Sequence, residues 1–150
     1  MRRVSRVGRA PSSERRIGAV TIELTYLALS IGLGFVHIVA ASQSASLERG
    51  YRWSASARDE PVEPLRGVAG RLDRALKNFL ETFPLFAAAV LATHSLGRHD
   101  ALTEWGVRLY FWGRVVYLPL YAAGVPLVRS LAWNVASAGI FSCLAALFWS

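Results

Sequence analysis

The chain of 150 residues contains a single cysteine, Cys143, which excludes an intrachain disulfide framework. Lying inside an apolar block, Cys143 reads as a small packing residue. Histidine is almost as scarce: His37, His94 and His99 are scattered without ligand spacing, and no metal site is readable. There is no glycine-rich phosphate loop, no Ser–His–Asp arrangement, no internal repeat and no low-complexity segment. Charge is sparse too, at 18% of residues against about 25% in ordinary soluble domains. These absences exclude disulfide-stapled, metal-centred and phosphate-loop classes. What is abundant is apolar sequence, 53% of residues, gathered in four blocks long enough to cross a bilayer.

The formal charge of +7 is concentrated in one place. Residues 1–19 hold Arg2, Arg3, Arg6, Arg9, Arg15 and Arg16 against Glu14, which is +5 of the total, and residues 20–150 carry the remaining +2. The tail has no aromatic interleaving and no nucleic-acid module, so nucleic-acid binding is not expected. A solvated or lipid-surface tail is the expected reading. It does not read as a signal peptide, because a span-length apolar block follows it directly. The abrupt change at Ile17–Thr21 raises a further expectation, that translation starts at Val20 and the tail is not made.

The first span is expected over Thr21–Ser42, with Gly32 and Gly34 permitting close helix approach. Glu23 suits a helix N-terminus, and His37 reads as a packing histidine. Residues 43–70, including Pro61 and Pro64, read as one long solvated loop. A second helix is expected from Gly70 to Leu96, kinked at Pro84, and a third from Glu104 to Ala123 after the tight connection Gly97–Thr103. A very short turn, Gly124–Pro126, makes the third helix an antiparallel neighbour of a fourth over Leu127–Ser150. In that fourth helix Ala132, Ala136, Ser137, Gly139 and Ser142 favour close packing, with Trp133 and Trp149 at the interfaces. The fold class is all-α: a basic tail, 1–19, and a four-transmembrane-helix domain, 20–150.

Two polar stripes interrupt the apolar blocks. Arg74, Asn78 and Glu81 fall on one narrow helical arc with Lys77 beside it, immediately before an apolar run. Tyr110, Arg114, Tyr117 and Tyr121 recur at i, i+4, i+7 and i+11 on the third helix. An arginine in mid-span facing lipid costs about 2.5 kcal/mol or more, so such groups face protein or water and carry a function. Arg129 and Ser130 open the fourth helix on the side where the third ends. Basic groups, an amide and a carboxylate on one face suit a small zwitterionic ligand.

These residues resemble the superfamily of membrane-associated proteins in eicosanoid and glutathione metabolism, MAPEG, over most of the chain from Thr21 onward. One motif is R-A-x-x-N-x-x-E-x-x-P, here Arg74, Ala75, Asn78, Glu81 and Pro84. The other is G-R-V, then two tyrosines, then P-x-x-R-S, here Gly113, Arg114, Val115, Tyr117, Tyr121, Pro126, Arg129 and Ser130. The resemblance implies a homotrimer of four-helix bundles binding glutathione between neighbouring subunits. It assigns Arg74 and Asn78 to peptide and carboxylate groups and Glu81 to the γ-glutamyl ammonium, with Lys77 on the same face. Arg114, Tyr117 and Tyr121 complete the pocket, and Arg129 is the catalytic candidate, stabilising the thiolate. Thr82 departs from the pattern, since many eukaryotic relatives carry an aromatic residue directly after the glutamate.

The implied activity is glutathione transfer or peroxidase chemistry on lipophilic electrophiles. The alternative is a non-catalytic module of the same fold that binds lipid or assists a partner. The sequence style is bacterial, so the expected location is an inner membrane crossed several times, in contact with its lipids. Counting Arg49, Arg52, Arg58 and Arg66 in the long loop, the positive-inside rule places that loop and the glutathione mouth in the cytoplasm when the tail is left out.

Overall fold

A computed structural model describes residues 20–59 and 61–149; the basic tail, and with it the question of its translation, lies outside them. The described residues form four long helices and one short one: α1 (Ile22–Arg49), α2 (Tyr51–Ser54), α3 (Gly67–Ser95), α4 (Ala101–Ala123) and α5 (Pro126–Phe148). α1, α3 and α5 are each long and apolar enough to cross a membrane. The protein is therefore an all-α, multi-pass integral membrane protein. α4 is less apolar because it carries Glu104, Arg108, Arg114 and three tyrosines along its 23 residues.

Local chemistry sets each helix end. The Thr21 hydroxyl accepts from the Leu24 amide at 3.4 Å and caps α1. α1 continues seven residues beyond the expected end at Ser42. Ser42–Arg49 is polar but contains no helix breaker; the first is Gly50, whose φ of 90° ends the helix. The expected loop of residues 43–70 thus contains the last two turns of α1 and all of α2, and its extended part is confined to the segment around Pro61 and Pro64. α4 begins three residues earlier than expected, because Asp100 and Thr103 form a capping box: the Asp100 carboxylate accepts from the Thr103 amide at 2.9 Å and the Thr103 hydroxyl from the Asp100 amide at 3.1 Å. Gly124, at φ 78°, closes α4, and Pro126 starts α5 at its first turn.

α4 and α5 form the closest pair. A Cβ at Gly113 would lie 2.9 Å from the Ala136 amide nitrogen, and one at Gly106 2.6 Å from the Cys143 sulfur. Gly139 presses on the α4 backbone at Gly106 and Tyr110 in the same way. Small residues on α5 therefore do what the sequence indicates, whereas Gly32 of α1 has nothing near it and Gly34 meets only the Phe79 ring. The main core gathers Leu27, Phe86, Val90, Val107, Tyr110 and Ile140 from all four long helices, and Tyr110 stacks on Phe86 with ring centroids 3.8 Å apart. His37 packs as expected, buried and stacked on Phe79 at 4.5 Å.

Glu23 does more than complement a helix end. It is 2% exposed, accepts from the Thr103 hydroxyl at 2.7 Å, and lies 3.2 Å from His99 Nδ1. It ties the start of α1 to the start of α4. At the opposite end, Arg71 Nε donates to the Ala122 carbonyl at 2.8 Å, which joins the start of α3 to the end of α4. Arg74, Tyr121 and Arg129 consequently share one end of the bundle.

Candidate functional site

Arg114 occupies the centre of the polar stripe and is fully buried, at 0% exposure. The α4 helix carries it beneath Gly113, where the absence of a side chain lets α5 approach. Its Nη1 donates to Asn78 Oδ1 at 2.7 Å and its Nη2 to the Thr82 hydroxyl at 2.6 Å, both on α3. The Tyr117 and Tyr110 rings lie 5.2 and 5.6 Å from the guanidinium carbon. No carboxylate pairs with Arg114 among the described residues; its partners are an amide, a hydroxyl and two ring faces. A charge held only by dipoles is costly to bury, so this arrangement is one the fold sustains through geometry.

The bonds to Arg114 also fix Asn78. Its amide oxygen is committed to the guanidinium, which leaves the amide N–H₂ as the group available to a ligand. Asn78 lines a cleft of about 260 Å³ together with Tyr117, Tyr121, Arg129, Ser130, Trp133 and Asn134. Arg129 lies over the Tyr121 ring at 4.4 Å and makes no ion pair among the described residues. The cleft thus offers amide donors, hydroxyls and one uncompensated cation within a small space, a donor set that suits a carboxylate.

The residues expected from sequence divide into three groups. Asn78, Tyr117, Tyr121 and Arg129 line the cleft. Arg114 lies behind it and reaches it through Asn78. Arg74, Lys77 and Glu81 are exposed on α3 and do not line it. Lys77, whose side chain is 69% exposed, pairs with Asp73 at 2.9 Å one turn earlier. Arg74 and Glu81 make no ion pair among the described residues.

Sequence reasoning did not place Thr82, Trp133 and Asn134 at this site. Thr82 stood out only as a departure, yet its hydroxyl is what receives the second arm of Arg114. Trp133 and Asn134 follow Arg129 by one helical turn, and that spacing was the available signal. A second cleft, about 530 Å³ and almost wholly apolar, lies between α3 and α5 and shares Trp133 with the polar one; Leu85, Ile140, Phe141 and Leu144 are among its walls.

Comparison with known families settles the ancestry. The MAPEG family profile matches residues 26–149. The chain belongs to the MAPEG family. No curated protein and no solved structure matches it. Membership supports a glutathione-related membrane function of enzymatic kind at the level of the family.

Proposed function

We propose that this MAPEG protein is a glutathione transferase or peroxidase acting on lipophilic electrophiles, working as a homotrimer with four crossings per subunit. The observation that carries the reading is Arg129, an uncompensated cation in a cleft already lined by Asn78, Tyr117 and Tyr121. When bound, glutathione supplies a thiol nucleophile whose unperturbed pKa is about 8.5, so a neighbouring cation raises the fraction present as thiolate. Arg129 provides that cation. Asn78 presents its N–H₂ to a carbonyl or carboxylate oxygen, and Tyr117 and Tyr121 supply hydroxyls. Glu81 and Arg74, exposed on the same end of α3, meet the ammonium and a carboxylate where a neighbouring subunit closes the site. The apolar cleft beside Trp133 supports a second substrate delivered from the bilayer.

Calorimetric titration of the detergent-purified protein with glutathione, together with conjugation to a chromogenic aryl halide, tests the reading. Binding is expected for the wild type and weakened in Glu81→Gln. Arg129→Leu is expected to lower turnover by about 10²-fold while changing glutathione affinity far less, since the thiolate charge matters most at the transition state. Unchanged turnover in that variant removes Arg129 from the chemistry.

A further inference from the structure

A second built site lies on a different face, where α1 emerges from the membrane. A 28-residue helix is about 42 Å long, against about 30 Å of hydrocarbon, so the last turns of α1 stand in the headgroup layer. There a cleft of about 230 Å³ runs up α1 against α3, with Ala41, Ala45 and Leu76 along its lower part and Arg49, Trp53 and Arg58 at its top. The guanidinium carbons of Arg49 and Arg58 lie 4.9 and 5.8 Å from the centre of the Trp53 ring, so two cations gather on the indole.

The donors at this point outnumber the acceptors. Arg49 Nε and Trp53 Nε1 are both buried and have no hydrogen-bond partner among the described residues. A buried N–H without an acceptor is costly, so two together at the head of one cleft call for an oxyanion. Arg58 is held over the indole by donating from Nε and Nη2 to the Ser54 carbonyl at 3.2 and 2.9 Å, with its own backbone at φ 61°. The acid lining the cleft, Asp73, is engaged by Lys77 at 2.9 Å and so opposes an anion weakly. Below the donors Ile38, Ala41, Ala45 and Leu76 form an apolar strip broken by the small hydroxyls of Ser42 and Ser46, a strip along which an acyl chain can lie.

We propose that this cleft binds one anionic phospholipid, its phosphate oxygens accepting from Arg49 and Trp53 beside the Arg58 guanidinium and an acyl chain lying along Ala41, Ala45 and Leu76. Binding is independent of the polar cleft around Asn78 and Arg129. A charge near a membrane surface is worth about fivefold in affinity for each cation, which sets the size of the expected effect.

Native mass spectrometry of the full chain, released from nanodiscs of phosphatidylglycerol or of phosphatidylcholine, counts the lipid retained. Phosphatidylglycerol retention is expected to exceed that of phosphatidylcholine and to fall about fivefold in Arg49→Gln and in Arg58→Gln. Trp53→Phe keeps the ring and removes the N–H; it is expected to lower retention while leaving helix content and melting unchanged, and it preserves the test should an arginine variant fail to fold. Arg98→Gln, at the other end of the bundle, is expected to change nothing. Equal retention of the two lipids, or equal loss in Arg98→Gln, overturns the proposal. Titrations with inorganic phosphate alone and glutathione alone separate the sources: Arg49-dependent binding of either soluble anion, without lipid selectivity, also overturns it.

Discussion

Arg114 shows how a residue picked out for one role acquires another once its partners are known. Its spacing with Tyr110, Tyr117 and Tyr121 marks a stripe turned away from lipid, and the structure buries Arg114 fully. Its guanidinium spends one nitrogen on Asn78 and one on Thr82, so its influence passes through the orientation of the Asn78 amide. Lysine at this position keeps the charge but has no planar fork and satisfies only one of the two acceptors well. Arg114→Lys is therefore expected to weaken glutathione binding about tenfold, and Asn78→Ala to do the same. The double variant is expected to be little worse than either single one, a coupling of about 1 kcal/mol in a calorimetric double-mutant cycle. Additive losses would mean that Arg114 acts on the ligand without Asn78. The pairing of Lys77 with Asp73 was hidden for a related reason. On a helix both the stripe and the i,i+4 ion pair are open to a lysine, and spacing does not choose between them.

At the level of helices, hydropathy marks the four long helices well, although only α1, α3 and α5 are apolar enough to cross a membrane by composition, and it marks their ends poorly. Apolar sequence stops at Ser42, but a helix needs only an unbroken backbone, and α1 continues to Arg49, where Gly50 ends it. The start of α4 was set by the Asp100–Thr103 capping box, a pattern of side-chain hydrogen bonds that hydropathy does not register. Small residues meet close neighbours on α5 and at Gly34 of α1 but not at Gly32, because a glycine shows that a close approach is permitted without showing that a neighbour makes it. Two substitutions separate these cases. Gly139→Leu drives a side chain into the α4 backbone and is expected to cost at least the 1–3 kcal/mol of ordinary overpacking. Gly32→Leu meets open space in mid-helix and is expected to be neutral or stabilising by about 0.5–1 kcal/mol. Thermal unfolding of the two variants in one detergent measures the contrast. The clasp at Glu23 belongs to the same scale: Glu23→Ala removes the acceptor facing Thr103 and His99, and a loss of about 3 kcal/mol in the same assay is expected.

For the molecule as a whole, the single chain leaves its most conspicuous charges outside its own cleft. Arg74 and Glu81, the residues that made the α3 motif recognisable, are exposed and unpaired among the described residues, while Asn78 between them faces inward. Helical periodicity made the stripe legible; it had no means of saying which members another copy of the chain would cover. The proposed site shared between subunits would account for this division, because the same α3 face would then serve two clefts, its own through Asn78 and a neighbour's through Glu81. The consequence is a complementation that no site built within one chain permits. Glu81→Gln and Arg129→Leu chains, each impaired alone when glutathione is limiting, are to be co-expressed with different tags, and assemblies carrying both tags purified. If Glu81 and Arg129 of one site come from different subunits, every trimer carrying both tags has one interface in three with both residues intact, and conjugation activity returns to about a third of wild type. If both come from one chain, no mixed assembly contains an intact site and activity stays at the level of the separate variants. The mass of the purified assembly by light scattering fixes the number of subunits in the same preparation, so the interface and its stoichiometry are read together.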